Sequence, residues 1–208
     1  MQTLAQIINQ QSTPSSDSNP ILFRTFPNVE AVIRYFYKSE VEKRGMQMQC
    51  PAAKEQIAAA ARYLTDRSRK RWLLLAGNVG TGKTTLSAAI RMTLHYYGVP
   101  CKMFRASDFP ALFLDNAELT QRQILRGEWC EVLLLDDIGV EQADIKFYGN
   151  TIQPFVKIVE ERYDRRLPLV VSTNLTSAEI GERYGQRTLD RIREMSVGIK
   201  YDGQSYRK

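Results

Sequence analysis

The sequence predicts an α/β fold in which a parallel β-sheet is covered by helices on both faces. Three apolar runs, at residues 72–76, 132–135 and 167–172, each have the length of one strand and alternate with segments of helical periodicity. Strands that are apolar throughout are typical of sheets buried on both faces. Strands that alternate with helices are typical of parallel sheets. A chain of 208 residues is long enough for one such domain.

The residues before the first strand predict a helical extension. Polar residues dominate the stretch after the first few positions and predict a flexible tail. Apolar residues at spacings of three and four predict one helix over 28–44 and another over 51–64. The expected organisation is therefore a tail at 1–27, a helical extension at 28–66 and the main domain at 67–208.

The turn after the first strand is rich in glycine and leads directly into a helix. Residues 77–84 have the pattern G-x-x-x-x-G-K-T. The glycines let successive amide groups point at phosphate oxygens, the lysine can reach the outer phosphates, and the threonine hydroxyl can bind Mg²⁺. The alternative is a glycine-rich turn without a ligand. The sequence predicts a site for ATP and Mg²⁺ formed by Gly77, Asn78, Val79, Gly80, Thr81, Gly82, Lys83, Thr84 and Thr85.

The segment between the first helix and the second apolar run predicts another strand and two helical pieces. The strand is expected at 101–105. Ser107 is expected to cap a helix that continues through Leu114, because serine is a preferred N-cap residue. A further helical piece is expected at 119–126.

The residues after the second apolar run predict a long helix and then shorter elements. Helical spacing of apolar residues predicts the long helix over 144–165, and Pro154 within it predicts a kink or a break. Thr176 and Glu179 have the spacing of a capping box. The later elements are expected at 176–183 and 186–195 for two helices and at 197–201 for a last strand.

Polar side chains follow two of the apolar runs, where their strands end. Asp136 and Asp137 follow the second run, and Asn174 follows the third. Open α/β sheets bind ligands at this edge. Asp136 can hold Mg²⁺, Asp137 can orient the water that attacks the γ-phosphate, and Asn174 can hydrogen-bond that phosphate or water. An asparagine in a strand-ending turn is also common without such a role.

With these motifs in this order, residues 62–208 resemble an AAA+ ATPase, and more narrowly the DnaC and DnaI helicase loaders and the related IstB transposition ATPases. The resemblance implies a P-loop NTPase fold with a short N-terminal extension and without the C-terminal helical lid of larger AAA+ proteins. It rests on the segments at 77–84, 134–139, 172–174, 189–191 and 205–207, which read GNVGTGKT, LLDDIG, STN, LDR and SYR.

The resemblance implies roles for two arginines. Arg191 falls at the arginine-finger position, which reaches the nucleotide of a neighbouring subunit. Arg207 falls at the second sensor, which contacts the nucleotide of its own subunit. A guanidinium group stays charged and can stabilise a charged transition state. Asp137 stands where most AAA+ proteins carry glutamate, and the shorter side chain leaves the rate of hydrolysis open.

The resemblance also implies partners. It implies ATP-dependent assembly into a homo-oligomer that places a replicative hexameric helicase on single-stranded DNA. The basic residues that can line the path of the DNA are Lys102, Arg105, Arg122 and Arg126. The alternatives are an ATPase that assists transposition, a nucleotide-dependent adaptor with little turnover, and a small-molecule kinase, which gives Asn174, Arg191 and Arg207 no shared role.

Composition and charge indicate which partners, metal sites and cellular location to expect. A net charge of +6 favours polyanionic partners. The three cysteines are far apart in the sequence and His95 is the only histidine, which argues against a zinc site or a disulfide framework. No apolar run approaches the roughly 20 residues that span a bilayer, so we expect no membrane contact and a cytoplasmic location.

Overall fold

The computed structural model describes residues 25–46, 51–66, 70–115, 118, 120–147 and 150–201. The helices are α1 (Val29–Glu42), α2 (Pro51–Thr65), α3 (Lys83–Tyr96), α4 (Phe109–Asp115), α5 (Pro154–Asp164), α6 (Ser177–Tyr184) and α7 (Gln186–Met195). The strands are β1 (Trp72–Gly77), β2 (Cys101–Arg105), β3 (Val132–Ile138), β4 (Ile145–Phe147), β5 (Asn150–Ile152), β6 (Leu169–Thr173) and β7 (Ser196–Tyr201). Among the residues described, no helix is both long and apolar enough to cross a membrane.

Five of these strands form one parallel sheet, in the order β2-β3-β6-β1-β7. Because the strands are parallel, their carboxyl ends meet at the same edge of the sheet. β1 lies between β6 and β7, so the loop after β1 emerges beside the ends of both neighbours. The predicted α/β fold with a parallel sheet is confirmed.

Side chains of the central strands point alternately to the two faces of the sheet, and helices cover each face. Leu73 and Val170 are paired in register and pack in the core with α1, α2 and α3. The preceding pair, Trp72 and Leu169, packs in the opposite core with α4, α5, α6 and α7. Burial of both faces explains why the three predicted strands are apolar throughout.

The helical extension shares the first of these cores. Ile33 of α1 and Ile57 of α2 are fully buried in the cluster that also contains Leu73 of β1. The helices predicted over 28–44 and 51–64 are present. The predicted division into domains stays a prediction, and most of the predicted tail lies outside the described residues.

The predicted helix over 144–165 is wrong in its first part. β4 and β5 form an antiparallel hairpin there, and Gln153 Nε2 closes its base by donating to Asp144 Oδ1 at 2.8 Å. The helix begins only at Pro154, which suits a first turn because it has no N–H to leave unpaired. Proline also disfavours helical geometry in the residue before it. The aromatic and β-branched residues of the segment favour strands.

Ser107 is not the N-cap that the sequence predicts. The chain passes through a 3₁₀ turn at Ala106–Asp108 before α4, and Arg105 occupies the N-cap position. The Asp108 carboxylate accepts a hydrogen bond from the Arg105 backbone amide at 3.2 Å. A carboxylate is favoured here because the first turn of a helix carries partial positive charge.

Candidate functional site

The loop after β1 folds tightly against the end of β7. Gly77 has a φ of 145°, and a Cβ at this position would lie 2.2 Å from the carbonyl oxygen of Tyr201. Gly80 and Gly82 also have positive φ angles, of 81° and 96°. L-residues rarely adopt such angles, so the loop depends on its glycines. The result is a compact turn that leads directly into α3.

The amino end of α3 faces this loop. The helix begins at Lys83, and Gly82 at its N-cap position provides no side-chain cap. The first amide groups of a helix have no partner within the helix, and its dipole makes this end positive. Such an end, combined with a glycine-rich loop, can bind a phosphate chain.

Lys83 is the buried cation of the loop. Its ammonium group donates to the carbonyl oxygens of Gly77 at 2.7 Å and Asn78 at 2.6 Å. An ammonium group has three donors, so one donor remains for a phosphate oxygen. Burial lowers the pKa of the Lys83 amine, and the carboxylates of Asp137 and Asp136 oppose that shift. The lysine therefore lies within the field of the acid pair.

Hydrogen bonds from Ser172 of β6 join the two acids, and Thr84 at the start of α3 lies close to Asp136. Asp136 is 1% exposed. Its Oδ1 accepts from Ser172 Oγ at 2.5 Å, and the Thr84 hydroxyl lies close enough to lower the pKa of its carboxyl. The Ser172 hydroxyl in turn accepts from the Asp137 backbone amide at 2.9 Å. Burial raises the pKa of the Asp136 carboxyl, and the hydrogen bonds from Ser172 and Thr84 oppose this.

Asp137 has an unusual backbone conformation. Its φ is 58°, and the pairing of β3 with β6 shifts register between Leu135 and Ile138. Aspartate enters the left-handed region more readily than most residues. Irregularities of this kind often redirect a side chain beside an active site. The two neighbouring acids therefore differ, because Asp136 is buried in the strand and Asp137 lies where the strand turns.

Asn174 follows β6 at the same edge of the sheet. The end of β6 is fastened to β3, because Thr173 Oγ1 donates to the Ile138 carbonyl oxygen at 2.6 Å. The side-chain oxygen of Asn174 is buried and has no hydrogen-bond partner in the structure. An unpaired buried polar atom is costly and commonly marks a place for water or a ligand. Because this oxygen can only accept, it fits the predicted hydrogen bond with the attacking water, which can donate, and not one with a phosphate oxygen.

The residues at this edge fit Mg²⁺ bound mainly through nucleotide phosphates. Mg²⁺ usually takes one or two protein oxygens, phosphate oxygens and water. The Thr84 hydroxyl and the Asp136 carboxylate lie near each other and offer such oxygens. Within the described part of the chain, no group of three or more histidine, cysteine or acidic residues could hold a metal by itself.

The two predicted arginines are not part of this group. Arg191 lies on α7 and packs against α5, where Nη1 pairs with Glu160 Oε1 at 3.1 Å and the guanidinium lies 5.0 Å from the centre of the Tyr163 ring. Its contacts are therefore with α5 and not with the loop of its own chain. Arg207 lies outside the described residues. The structure thus brings together residues 77–85, Asp136, Asp137 and Asn174.

Two residues at the site were not predicted as site residues. Ser172 bridges the acid pair, although its segment was among those that carry the resemblance. Arg44, after α1, donates from Nη1 to Thr85 Oγ1 at 3.0 Å and so connects the N-terminal extension to the first turn of α3. The 41 positions between these two residues leave no local pattern that predicts the contact.

Replacing Gly77 by alanine is expected to destabilise the protein by at least about 2 kcal/mol, because the new Cβ collides with backbone atoms of Tyr201. Gly98→Ala is the matched control. Gly98 has a φ of 68° but open space around it, so only the backbone penalty of about 1 kcal/mol is expected. Urea unfolding measures both values. Equal losses of unfolding free energy in the two variants would show that the close approach of Gly77 to Tyr201 does not contribute to the cost of the substitution.

The sheet order and the glycine-rich loop match the P-loop fold of AAA+ proteins of known structure. The crystal structure of the DnaC helicase loader is similar to this chain with a TM-score of 0.62 at 19% identity, over 81% of this chain and 99% of that one. The crystal structure of DnaI is similar with a TM-score of 0.61 at 21% identity, over 86% of this chain and 99% of that one.

A replication initiator has the same fold. The structure of DnaA bound to AMPPCP and single-stranded DNA is similar with a TM-score of 0.58 at 15% identity, over 86% of this chain and 52% of that one. No protein-family model matches the chain, and no curated protein matches its sequence. The resemblance to AAA+ helicase loaders that the sequence predicts is confirmed at the level of the fold.

Proposed function

We propose that this protein binds and hydrolyses ATP and uses that cycle to load or remodel a replicative helicase on single-stranded DNA in the cytoplasm. One observation carries the ATPase part of the proposal. Ser172 Oγ donates to Asp136 and accepts from the Asp137 amide, and Thr84, in the first turn after the loop, lies close enough to Asp136 to lower the pKa of its carboxyl. A phosphate loop that lies beside an acid pair provides the two halves of a P-loop hydrolysis site.

In this proposal the loop holds the triphosphate. The amide groups of residues 77–82 and of the first turn of α3 surround the phosphates. Lys83 binds the outer phosphates with the donor that it does not use on the loop carbonyls. Thr84 and Asp136 hold Mg²⁺, which neutralises charge on the phosphates when it is bound. Arg44, through Thr85, places the N-terminal extension beside the same end of α3.

Asp137 and Asn174 serve the chemical step. Asp137 orients the attacking water and accepts its proton, and a partly exposed carboxylate at the end of β3 can reach that water. Asn174 accepts a hydrogen bond from the same water through its side-chain oxygen. Arg191 acts on the nucleotide of a neighbouring subunit, which requires assembly into a homo-oligomer. Arg207 contacts the nucleotide of its own subunit.

The fold relatives support the replication part of the proposal. DnaC is a helicase loader, and DnaA is similar in fold and was solved with AMPPCP and single-stranded DNA. In this chain Arg105, Arg122 and Arg126 are exposed and Lys102 is partly exposed. Exposed cations of this kind can contact a nucleic-acid backbone.

Release of phosphate from Mg²⁺-ATP tests the ATPase. Wild-type protein is expected to release phosphate at a steady rate that single-stranded DNA or the helicase can stimulate. Lys83→Ala is expected to abolish this rate and to weaken ATP binding, since it removes the cation of the loop. Lys54→Ala on the exposed side of α2 is the matched control. Equal rates of phosphate release in the wild type and in Lys83→Ala would contradict the proposed ATPase activity.

Binding of a fluorescent single-stranded oligonucleotide tests the DNA partner. Binding is expected only with ATP present and is expected to weaken steeply as salt rises, because phosphate contacts release counterions. Copurification of a hexameric helicase would identify the protein partner. Copurification of a transposase instead would favour the transposition alternative.

The identity of Asp137 favours a second candidate, a nucleotide-dependent adaptor with little turnover. Aspartate is shorter than the glutamate that most AAA+ proteins carry at this position, and its carboxylate lies farther from a bound γ-phosphate. In this case ATP binding would order the protein for a partner without rapid hydrolysis. ATP binding at normal affinity with no phosphate release, even with DNA and helicase present, would support it.

A further inference from the structure

Glu141 is a buried carboxylate near the acid pair. It is 5% exposed, and it lies in the loop that follows β3. Its Oε2 accepts from the Gly139 backbone amide at 2.7 Å, and its Oε1 accepts from the Tyr184 hydroxyl. Burying an ionised carboxylate is costly unless its oxygens are hydrogen-bonded. Both oxygens of Glu141 have a donor, so this side chain is fully engaged between two segments.

The first of these segments is the turn that follows Asp137. The Val140 amide donates to the Asp137 carbonyl oxygen at 3.3 Å, which closes the turn, and Glu141 holds the amide of Gly139 inside it. Gly139 has a φ of 112°, and a Cβ there would lie 2.7 Å from Cγ of Leu175. The turn therefore packs against the residue that follows Asn174. A shift of this turn changes the direction of the Asp137 carboxylate.

The second segment is the end of α6. The Tyr184 hydroxyl donates to Glu141 and accepts from Arg183 Nε at 3.1 Å, while Arg183 Nη2 donates to the Glu141 backbone oxygen. Tyr184 also contacts Phe155 of α5, with ring centres 4.7 Å apart. Burial and the hydrogen bond to Glu141 raise the pKa of Tyr184, so its hydroxyl stays protonated and can donate at neutral pH.

We propose that Glu141 is a positioning residue for ATP hydrolysis that holds the turn after Asp137 and couples it to the end of α6. This inference rests on the proposed ATPase function. α6 is followed directly by α7, the helix that carries Arg191. Through Glu141 and Tyr184, a displacement of the α6–α7 pair by a neighbouring subunit moves the turn that aims Asp137. The rate of hydrolysis thereby depends on the position of α6 and of α7, the helix that carries Arg191.

Two variants break the link at different points. Glu141→Gln keeps the shape of the side chain but replaces one acceptor oxygen by a donor group, so it cannot accept from both Gly139 and Tyr184. Tyr184→Phe removes only the hydroxyl and leaves the contact with Gly139. Glu182→Gln on the exposed side of α6 is the matched control. The double variant, Glu141→Gln with Tyr184→Phe, tests whether the two residues act as one unit.

Single-turnover and steady-state hydrolysis give the first readout. Each single variant is expected to lower kcat about 10- to 100-fold, while the Kd for a non-hydrolysable ATP analogue stays within about twofold, because small misplacements of a catalytic group are costly. The double variant is expected to be no slower than the slower single variant. An unchanged kcat, or equal losses in kcat and analogue affinity, would overturn the positioning role.

Hydrogen–deuterium exchange gives a readout that needs no hydrolysis. Tyr184→Phe is expected to speed amide exchange in residues 137–141, although the change lies on α6, and Glu141→Gln is expected to speed exchange in residues 177–184. Faster exchange confined to the altered segment would overturn the coupling. If wild-type protein binds ATP but releases no phosphate, the proposed hydrolysis and the positioning role of Glu141 both fail. Hydrogen–deuterium exchange then still shows whether the turn after Asp137 is coupled to the end of α6.

Discussion

Asp137→Asn is expected to lower the rate of ATP hydrolysis about 100-fold or more, while ATP binds within about twofold of the wild-type affinity. In the proposed mechanism, this change removes the carboxylate that accepts the proton of the attacking water. It leaves the backbone hydrogen bond from residue 137 to Ser172, and asparagine also tolerates the left-handed conformation found there. Loss of turnover then reports on the carboxylate and not on the fold.

Asp144→Asn is the matched control for this experiment. Asp144 is exposed in the same loop after β3, and its Oδ1 accepts from Gln153 at 2.8 Å, a bond that asparagine can keep. Hydrolysis by this variant is expected to equal that of the wild type. Phosphate release by Asp137→Asn at the wild-type rate would remove Asp137 from the mechanism. A fluorescent ATP analogue measures binding separately.

Arg162→Met is expected to destabilise the protein by about 4 kcal/mol. Arg162 is 0% exposed, and its guanidinium joins three segments at the amino edge of the sheet. Burial lowers the pKa of this guanidinium to about 10, so it remains charged at neutral pH. Methionine fills similar volume but has no donor, so buried acceptors lose their partner. Those acceptors are the carbonyl oxygens of Ile124, Cys130, Glu131 and Pro168.

Two further variants test whether the loss of stability comes from the buried hydrogen bonds of Arg162. Arg165→Met, on the same helix but exposed and paired with Glu161 at 3.4 Å, is expected to cost less than about 0.5 kcal/mol. The loss of stability in Arg162→Lys is expected to lie between those of the two methionine variants, because an ammonium group keeps some of the hydrogen bonds but cannot reach all four carbonyls. Urea unfolding followed by circular dichroism gives the free energies. A loss below about 1 kcal/mol for Arg162→Met would contradict the assigned role.

Local patterns were sufficient to predict most of the sheet and the segments that meet at its carboxyl edge. Apolar runs of strand length predict β1, β3 and β6, because a strand buried on both faces needs no polar positions. The capping box of Thr176 and Glu179 is present at the start of α6, with the Glu179 amide donating to Thr176 Oγ1 at 3.3 Å. Each of these features depends on residues only a few positions apart.

The hairpin β4–β5 shows where local patterns mislead. Apolar residues at 145, 147 and 152 satisfy a helical spacing by chance, and the packing of Ile145 and Ile152 in the core helps to select the strand conformation. Pro154 is compatible with both interpretations, since it can kink a helix or begin one. The prediction failed because it assigned the proline to the middle of the element and not to its start.

The amino-acid sequence by itself determined the five strands of the parallel sheet, most of the helices, the glycine-rich loop after β1 and the acids at the end of β3, since these follow from short-range periodicity and from backbone freedom at glycine. The tertiary structure alone decided that Ser172 joins Asp136 to Asp137, that Glu141 reaches Tyr184 and that Arg162 is buried among carbonyl groups. These contacts join residues that are separated by 31 to 43 positions. The exception is the bond from Arg162 to Pro168, in the loop that follows its own helix. They form only when the sheet and its helices bring distant segments together, so no local spacing encodes them.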